Sequence, residues 1–320
     1  MTKDSISEEG VLELIREYPT QNSLDYEVMG KVFGDVFSQF TADQYGLIFW
    51  SHGDAWLPGY DSRVDTRWYG YEEYGKNAMK MDLLDLKKAL AKIPQKLNFL
   101  MFDACFMGSV EVAYELKDYA SYLIGSAMEL PAPSAPYESV IPLFYRDNIF
   151  LEEGILDTYF EHYNDTYTGV TERGYVWKGG VSLVLLDLNV ITEFAENLKT
   201  LMGEAHIVYE ELQYEGVLQY DVRPMTFKPD QRSSIYYYSD LKGVIWKTFD
   251  ESLSLKLIDS FDKFVVKYST TPTNFSGGLV FDMSMDGSHG VSVYVPRGTN
   301  DYKKEDRYYS TLEWYKYFQK

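Results

Sequence analysis

The sequence predicts an α/β fold built on a mostly parallel sheet with helices on its faces. Three observations carry this. The runs 47–50, 97–102 and 122–125 are apolar throughout and too short for helices. Strands buried on both faces of a parallel sheet read this way. Helical patterns at 82–93 and 109–116 separate the last two runs from what precedes them. Strand–helix–strand alternation is the signature of a parallel sheet with right-handed crossovers. Each run stops abruptly: at Ser51-His52-Gly53, at Asp103-Ala104-Cys105 and at Ser126-Ala127-Met128-Glu129.

The elements follow in order. Residues 1–44 are mostly helical in pattern, first around Val11, Leu12, Leu14 and Ile15, then over 26–40. There Val28, Met29, Val32, Phe33, Val36, Phe37 and Phe40 form a stripe of 3.6-residue period, with Asp25 or Ser23 as the cap. After the strand at 47–50, residues 54–80 lack periodicity and are rich in Gly, Tyr and Asp. They read as a long surface loop, and such loops are usually functional or disordered. Asp82 caps the next helix, whose buried face is Leu83, Leu84, Leu86, Leu90 and Ile93, and Pro94 ends it. Beyond Pro131 come a Pro-rich turn, helical patterns at 139–168, a strand at 181–186 and a helix at 190–202. The last third is mixed, with strands at 279–281 and 291–295. The division this suggests is a core over 1–200 and an extension over 201–320 that packs on it and contributes strands.

Composition narrows the function. Hydrophobic residues at 45% and charged residues at 25% exclude a disordered chain. No run approaches the roughly 18 apolar residues of a membrane helix. Met1-Thr2-Lys3-Asp4-Ser5 has no apolar stretch, so no signal peptide is expected in this chain. The net charge of −19 argues against nucleic acid and anionic membranes as partners, and it would draw in a cationic ligand. The 29 tyrosines hint at an exported or surface-exposed protein. The one cysteine, Cys105, excludes an internal disulfide and any zinc site needing two thiolates. His52, His162, His206 and His289 lie far apart and no H-E-x-x-H occurs, so a zincin is excluded too.

His52 and Cys105 each sit just past the C-terminal end of a predicted buried strand, the edge where open α/β sheets bind ligands. Gly53 follows the one and Gly108-Ser109 the other, small residues that let backbone N–H groups approach a ligand. The helix starting near Ser109 turns its positive end towards Cys105, which favours thiolate. Caspases carry their histidine about 50 residues before the cysteine, and the spacing here is similar.

The motifs Tyr45-Gly46-Leu47-Ile48-Phe49-Trp50-Ser51-His52-Gly53 and Phe102-Asp103-Ala104-Cys105-Phe106-Met107-Gly108-Ser109-Val110-Glu111 resemble the clostripain family of cysteine peptidases, in the caspase–gingipain clan. Ile124-Gly125-Ser126-Ala127-Met128-Glu129 fits as well. The resemblance implies a caspase-like α/β/α sandwich with a mixed α+β extension. It implies Cys105 as nucleophile, His52 as general acid and base, and the N–H groups of Gly53 and Cys105 as oxyanion donors. It implies cleavage after Arg or Lys, with Asp103 lining the S1 pocket, Glu129 as a second acid and Met128 as an apolar wall. Self-cleavage would fall in the loop after the histidine strand, at Arg67, Arg63 or Lys76. No cofactor is required, although Asp61, Asp65, Glu72 and Glu73 could hold a calcium ion, which some members need. A secreted, cell-surface or periplasmic monomer acting on peptide or protein substrates is expected.

Other readings are weaker. Gly70-Tyr71-Glu72-Glu73-Tyr74-Gly75-Lys76-Asn77 approximates a P-loop, but Asn77 replaces the Ser/Thr and two glutamates would repel phosphate. No G-x-S-x-G occurs. His289 falls in the turn Asp286-Gly287-Ser288-His289-Gly290, and His162 and His206 in helical stretches; all three read as structural. The serious rival is a non-catalytic module of the same fold whose Tyr-rich loops grip a protein or glycan. Cleavage after Asp is disfavoured by the acidic pocket candidates.

Overall fold

The computed structural model describes residues 2–6, 12–57, 69–74, 77–131, 133–146, 154–166, 180–221, 223–224, 234–276 and 280–319. The N-terminal segment departs from the helical expectation. Thr2–Ile6 (β1) and Leu12–Glu17 (β2) pair antiparallel. Leu12-Glu13-Leu14 alternates apolar and polar, and over so short a run that period of two competes with the helical one. Tyr26–Gln39 (α1) is the predicted helix, and the Asp25 carboxylate accepts from the N–H groups of Glu27 and Val28.

After Gly46–Trp50 (β3) the region expected to be irregular holds an antiparallel pair, Tyr69–Tyr74 (β4) and Asn77–Met81 (β5). Its tyrosines favour strands. Asp82 accepts from the Asp85 N–H to start Leu83–Leu90 (α2). Leu97–Asp103 (β6), Val110–Leu116 (α3) and Ala120–Gly125 (β7) complete the predicted alternation. Then come Tyr137–Val140 (α4), Ile155–Glu161 (α5), Ser182–Asp187 (β8) and Ile191–Ala205 (α6). The remainder is Arg223–Pro224 (β9), Ser234–Ile235 (β10), Ser239–Asp240 (β11), Leu241–Thr248 (α7) and Glu251–Phe264 (α8). It ends with Val265–Thr270 (β12), Thr273–Ser276 (β13), Val280–Ser284 (β14), Ser292–Val293 (β15), Lys303–Tyr309 (α9) and Glu313–Phe318 (α10).

Among the described residues the central sheet has five strands, in the order β12-β8-β7-β6-β3. β3, β6 and β7 pair parallel, while β8 is antiparallel to both β7 and β12. All but β8 therefore run one way. Side chains of β6 alternate between two cores. Leu100 and Phe102 join residues of α2, α3, α6, α8 and α10. Phe99 and Met101 join Val140, Ile155, Leu156 and Tyr159 of α4 and α5. Helices thus cover both faces, giving an α/β/α sandwich. Each fully buried leucine here contributes about 1.5–3 kcal/mol.

Many tyrosines build the interior: Tyr159, Tyr209, Tyr220, Tyr238, Tyr294 and Tyr309 are fully buried. Their hydroxyls are satisfied there, as burial requires. Around the buried Glu111 of α3, Oε1 accepts from the Tyr294 N–H (2.7 Å) and the Tyr309 hydroxyl (2.8 Å). Tyr309 meets Tyr209 at 2.8 Å, and Trp314 Nε1 donates to Tyr209 at 2.7 Å. This network ties the helix that follows Cys105 to the C-terminal end of the chain.

Candidate active site

Parallel pairing of β3 with β6 sets the register of the site. Trp50 stands opposite Asp103, and His52 and Cys105 each lie two residues further on. The two strand tips open into one cleft of about 360 Å³, lined by Trp50, Ser51, His52, Asp103, Ala104, Cys105, Leu130, Pro131 and Ser134. His52 is exposed and Cys105 buried, at 6%.

The glycines beside these residues let one loop lie on another. A Cβ on Gly53 would stand 2.5 Å from the Cys105 carbonyl oxygen and 3.2 Å from its nitrogen. A Cβ on Gly108 would stand 2.7 Å from the Ala127 nitrogen. Both are closer than a real Cβ comes, so the residue type is fixed by backbone contact as much as by access for a ligand.

Two strained residues shape the turns. Phe106, directly after the cysteine, has φ 63°, and Ala55 in the histidine loop has φ 49°. For a residue with a Cβ this left-handed region costs roughly 1–2 kcal/mol. Neighbours hold Phe106 there. Its N–H donates to the Met128 carbonyl at 2.9 Å, and its ring centroid lies 5.1 Å from that of Tyr238. Tyr238 also reaches the histidine loop: its hydroxyl lies 2.7 Å from the Asp54 carbonyl oxygen and 2.8 Å from Asp54 Oδ1. One buried side chain from the last third of the chain therefore touches both loops. The Leu130 N–H donates to Cys105 Sγ at 3.4 Å, a contact that favours the thiolate.

Asp103 is 3% exposed and faces the cleft. Its Oδ2 accepts from the Ala135 N–H (2.9 Å) and the Tyr137 hydroxyl (2.7 Å), and its Oδ1 from the Tyr159 hydroxyl (2.7 Å). Burial first, then the charge of Asp103, pushes both tyrosine hydroxyls up in pKa. Met128 is fully buried in the larger core, and Glu129 is buried just before Leu130; the cleft lining begins at Leu130. Arg63, Arg67, Lys76, Asp61 and Asp65 lie outside the described residues, and Glu72 and Glu73 fall in β4. Among the described residues no three His, Cys, Asp or Glu side chains gather as a metal site. His289 Nδ1 sits 2.9 Å from Asp240 Oδ1 in its turn, and His206 ends α6.

Comparison with known proteins decides the family. The profile of the clostripain family matches residues 2–320. The chain belongs to the clostripain family. It is a cysteine peptidase, which sets aside the non-catalytic reading. A secreted cysteine protease from Bacteroides thetaiotaomicron, solved with an irreversible peptide inhibitor, is 31% identical, covering 99% of this chain and 84% of that one at TM-score 0.80. A Bacteroides fragilis cysteine protease is also 31% identical, over 78% of this chain and 96% of that one, at TM-score 0.58. An inactive zymogen protease from Parabacteroides distasonis shares the fold at 23% identity and TM-score 0.74, over 99% of this chain and 83% of that one. A comparison with curated proteins found no match.

Sequence reasoning missed four contributors to this peptidase's cleft region: Tyr238, the Leu130 N–H, and the pair Tyr137 and Tyr159 on Asp103. The first lies in the distant C-terminal third, and an N–H has no side chain to notice. Tyr137 and Tyr159 fall in or beside a stretch read only as helical.

Proposed function

We propose that the chain is an endopeptidase whose nucleophile is Cys105 and whose general acid and base is His52. One observation carries this: the only cysteine of a cysteine peptidase lies at the tip of β6, in one cleft with His52 and backbone to backbone with Gly53. The Cys105 thiolate attacks the scissile carbonyl and forms a tetrahedral oxyanion. The N–H groups of Gly53 and Cys105 stabilise that charge, each by about 2.7–4 kcal/mol. His52 protonates the leaving amine, then removes a proton from the water that hydrolyses the acyl-enzyme. These steps require no cofactor, and a calcium ion stays an open addition to the proposal.

The substrates are peptides cut after Arg or Lys. Asp103 supports this, since a buried carboxylate in the cleft attracts a cationic side chain, and the net charge of −19 adds a favourable field. Glu129 and Met128 stay in the proposal only as residues behind the cleft lining, which begins at Leu130. Maturation by self-cleavage at Arg67, Arg63 or Lys76 gains support from the inactive zymogen among the structural relatives. Export to the outside of the cell gains support from the secreted relative.

Fluorogenic Arg and Lys amides test the reading on wild type, Cys105→Ala and His52→Ala. Removal of the sulfur should cost at least about 10³-fold in kcat, the scale of losing a catalytic nucleophile. Unchanged turnover by Cys105→Ala would end the proposal. Intact-mass analysis of wild type against Cys105→Ala reads the self-cleavage, which only the wild type should show.

A further inference from the structure

The hydrogen bonds already made by Asp103 bear on which basic residue the pocket takes, and the inference rests on the reading of Asp103 as the S1 acid. A carboxylate has about four acceptor positions, two on each oxygen. On Oδ2 both are filled, by the Ala135 N–H and the Tyr137 hydroxyl. On Oδ1 the described residues fill one, through the Tyr159 hydroxyl. The Ala135 donor is backbone, and the Tyr137 ring is half-buried. Tyr159 is fully buried, and raised pKa values keep both hydroxyls protonated. The pocket wall is fixed, since the Tyr163 hydroxyl donates to the Ser134 carbonyl at 2.5 Å.

We infer that Asp103 offers a substrate one acceptor position, on Oδ1, and that the peptidase therefore prefers Lys over Arg at the residue before the cut. An ammonium is a compact charge that needs one strong acceptor. A guanidinium gains most from a fork of two parallel N–H bonds to both oxygens, and Oδ2 has no position for the second. Arg entering this pocket leaves an N–H unpaired beside a buried carboxylate, and such a group is costly.

The test compares kcat/KM for matched Lys and Arg amides on wild type, Tyr137→Phe, Tyr159→Phe and Asp103→Asn. Wild type should favour Lys by on the order of 10-fold, the scale of one unpaired buried polar group. Tyr137→Phe frees a position on Oδ2, completes the fork and should move the ratio towards Arg. Tyr159→Phe loses an equivalent bond but leaves Oδ2 filled, so its ratio should stay near that of wild type. The inference is overturned if wild type cuts after Arg at least as well as after Lys. It is overturned equally if Tyr137→Phe leaves the ratio unmoved or if both tyrosine variants move it alike. Asp103→Asn separates this from the reading beneath it. Wild-type KM for both substrates in that variant would remove Asp103 from the pocket altogether. Lost affinity for both basic substrates, with fixed ratios in the tyrosine variants, would sink the Lys preference alone. Melting temperature and alkylation of Cys105 confirm that each variant is folded.

Discussion

Gly53 and Cys105 touch through their backbones, with space between them for a hydrogen and not for a methyl group. A Cβ at Gly53 would meet the Cys105 carbonyl oxygen at 2.5 Å and the Ala104 Cβ at 2.9 Å. Neither obstacle is the far end of a flexible side chain, so one loop has to move. Gly53→Ala should therefore lower kcat by about 10²-fold or more, the cost of displacing reacting groups by around 1 Å. Active-site titration with an irreversible peptide inhibitor, beside a thermal melt, checks this. Full activity in a folded variant would show that the loops part without cost.

Tyr238 bridges the two loops by different means, its hydroxyl on Asp54 and its ring on Phe106. Tyr238→Phe keeps the ring and removes the hydroxyl. A buried carbonyl and carboxylate then lose a donor, which should cost about 1–3 kcal/mol in urea unfolding. Loosening of the His52 loop should lower kcat several-fold while KM stays within a factor of two. A purely structural tyrosine would change stability and leave kcat where it was.

What the sequence made legible and what it concealed divide along physical lines. β6 and β7 were readable because strands buried on both faces are apolar throughout. β3 was legible from its apolar run, yet among the described residues it forms the sheet edge, with only Phe49 of its five residues buried. Asp25 and Asp82 marked helix starts through side-chain chemistry that acts within a few residues. The Leu12–Glu17 strand was read as helix because so few residues fit either period, and its partner Thr2–Ile6 is mainly polar. The β4–β5 pair was missed among glycines and aspartates. In the site, His52 and Cys105 were legible as the residues where apolar runs stop. The strained φ of Phe106 and Ala55 was not, because neither is the Gly or Asn that ordinarily signals it. Tyr238 was concealed because its contact with Asp54 spans 184 residues.

Stability should carry a pH signature from Glu111. Burial raises its pKa above the ordinary 4.5, against the lowering effect of Ser109, Tyr294 and Tyr309. The folded state then holds a proton that the unfolded chain releases near pH 4.5. Between that pH and the raised folded value the native state binds more protons, so stability falls as pH rises. Glu111→Gln removes the titration and keeps an acceptor for Tyr294 and Tyr309. The difference in unfolding free energy, wild type minus variant, should decrease from pH 4 to pH 7. A difference that is flat across that range, or that grows with pH, would show that Glu111 does not titrate as its burial dictates.

The ion pairs of this acidic chain should differ sharply in worth, and burial decides which matter. The Glu115 side chain is fully buried in α3; it accepts from Lys87 Nζ at 2.9 Å and from the backbone N–H of Glu313. Lys87 also reaches Glu313 at 2.5 Å, so α2, α3 and α10 meet at one charge cluster. Glu115→Ala strands the Glu313 N–H and leaves Lys87 with its outer partner only. Breaking a buried pair from one side costs about 3–5 kcal/mol. Lys87, with 18% of its side chain exposed, keeps some hydration, which places the expected loss at about 2–3 kcal/mol. Lys256 and Glu204 pair at 2.6 Å, but their side chains are 52% and 44% exposed. Water screens such a pair, so Glu204→Ala should change stability by less than about 1 kcal/mol. Urea unfolding of the two variants side by side measures both. Equal losses would mean that distance, and not burial, governs the ion pairs of this fold.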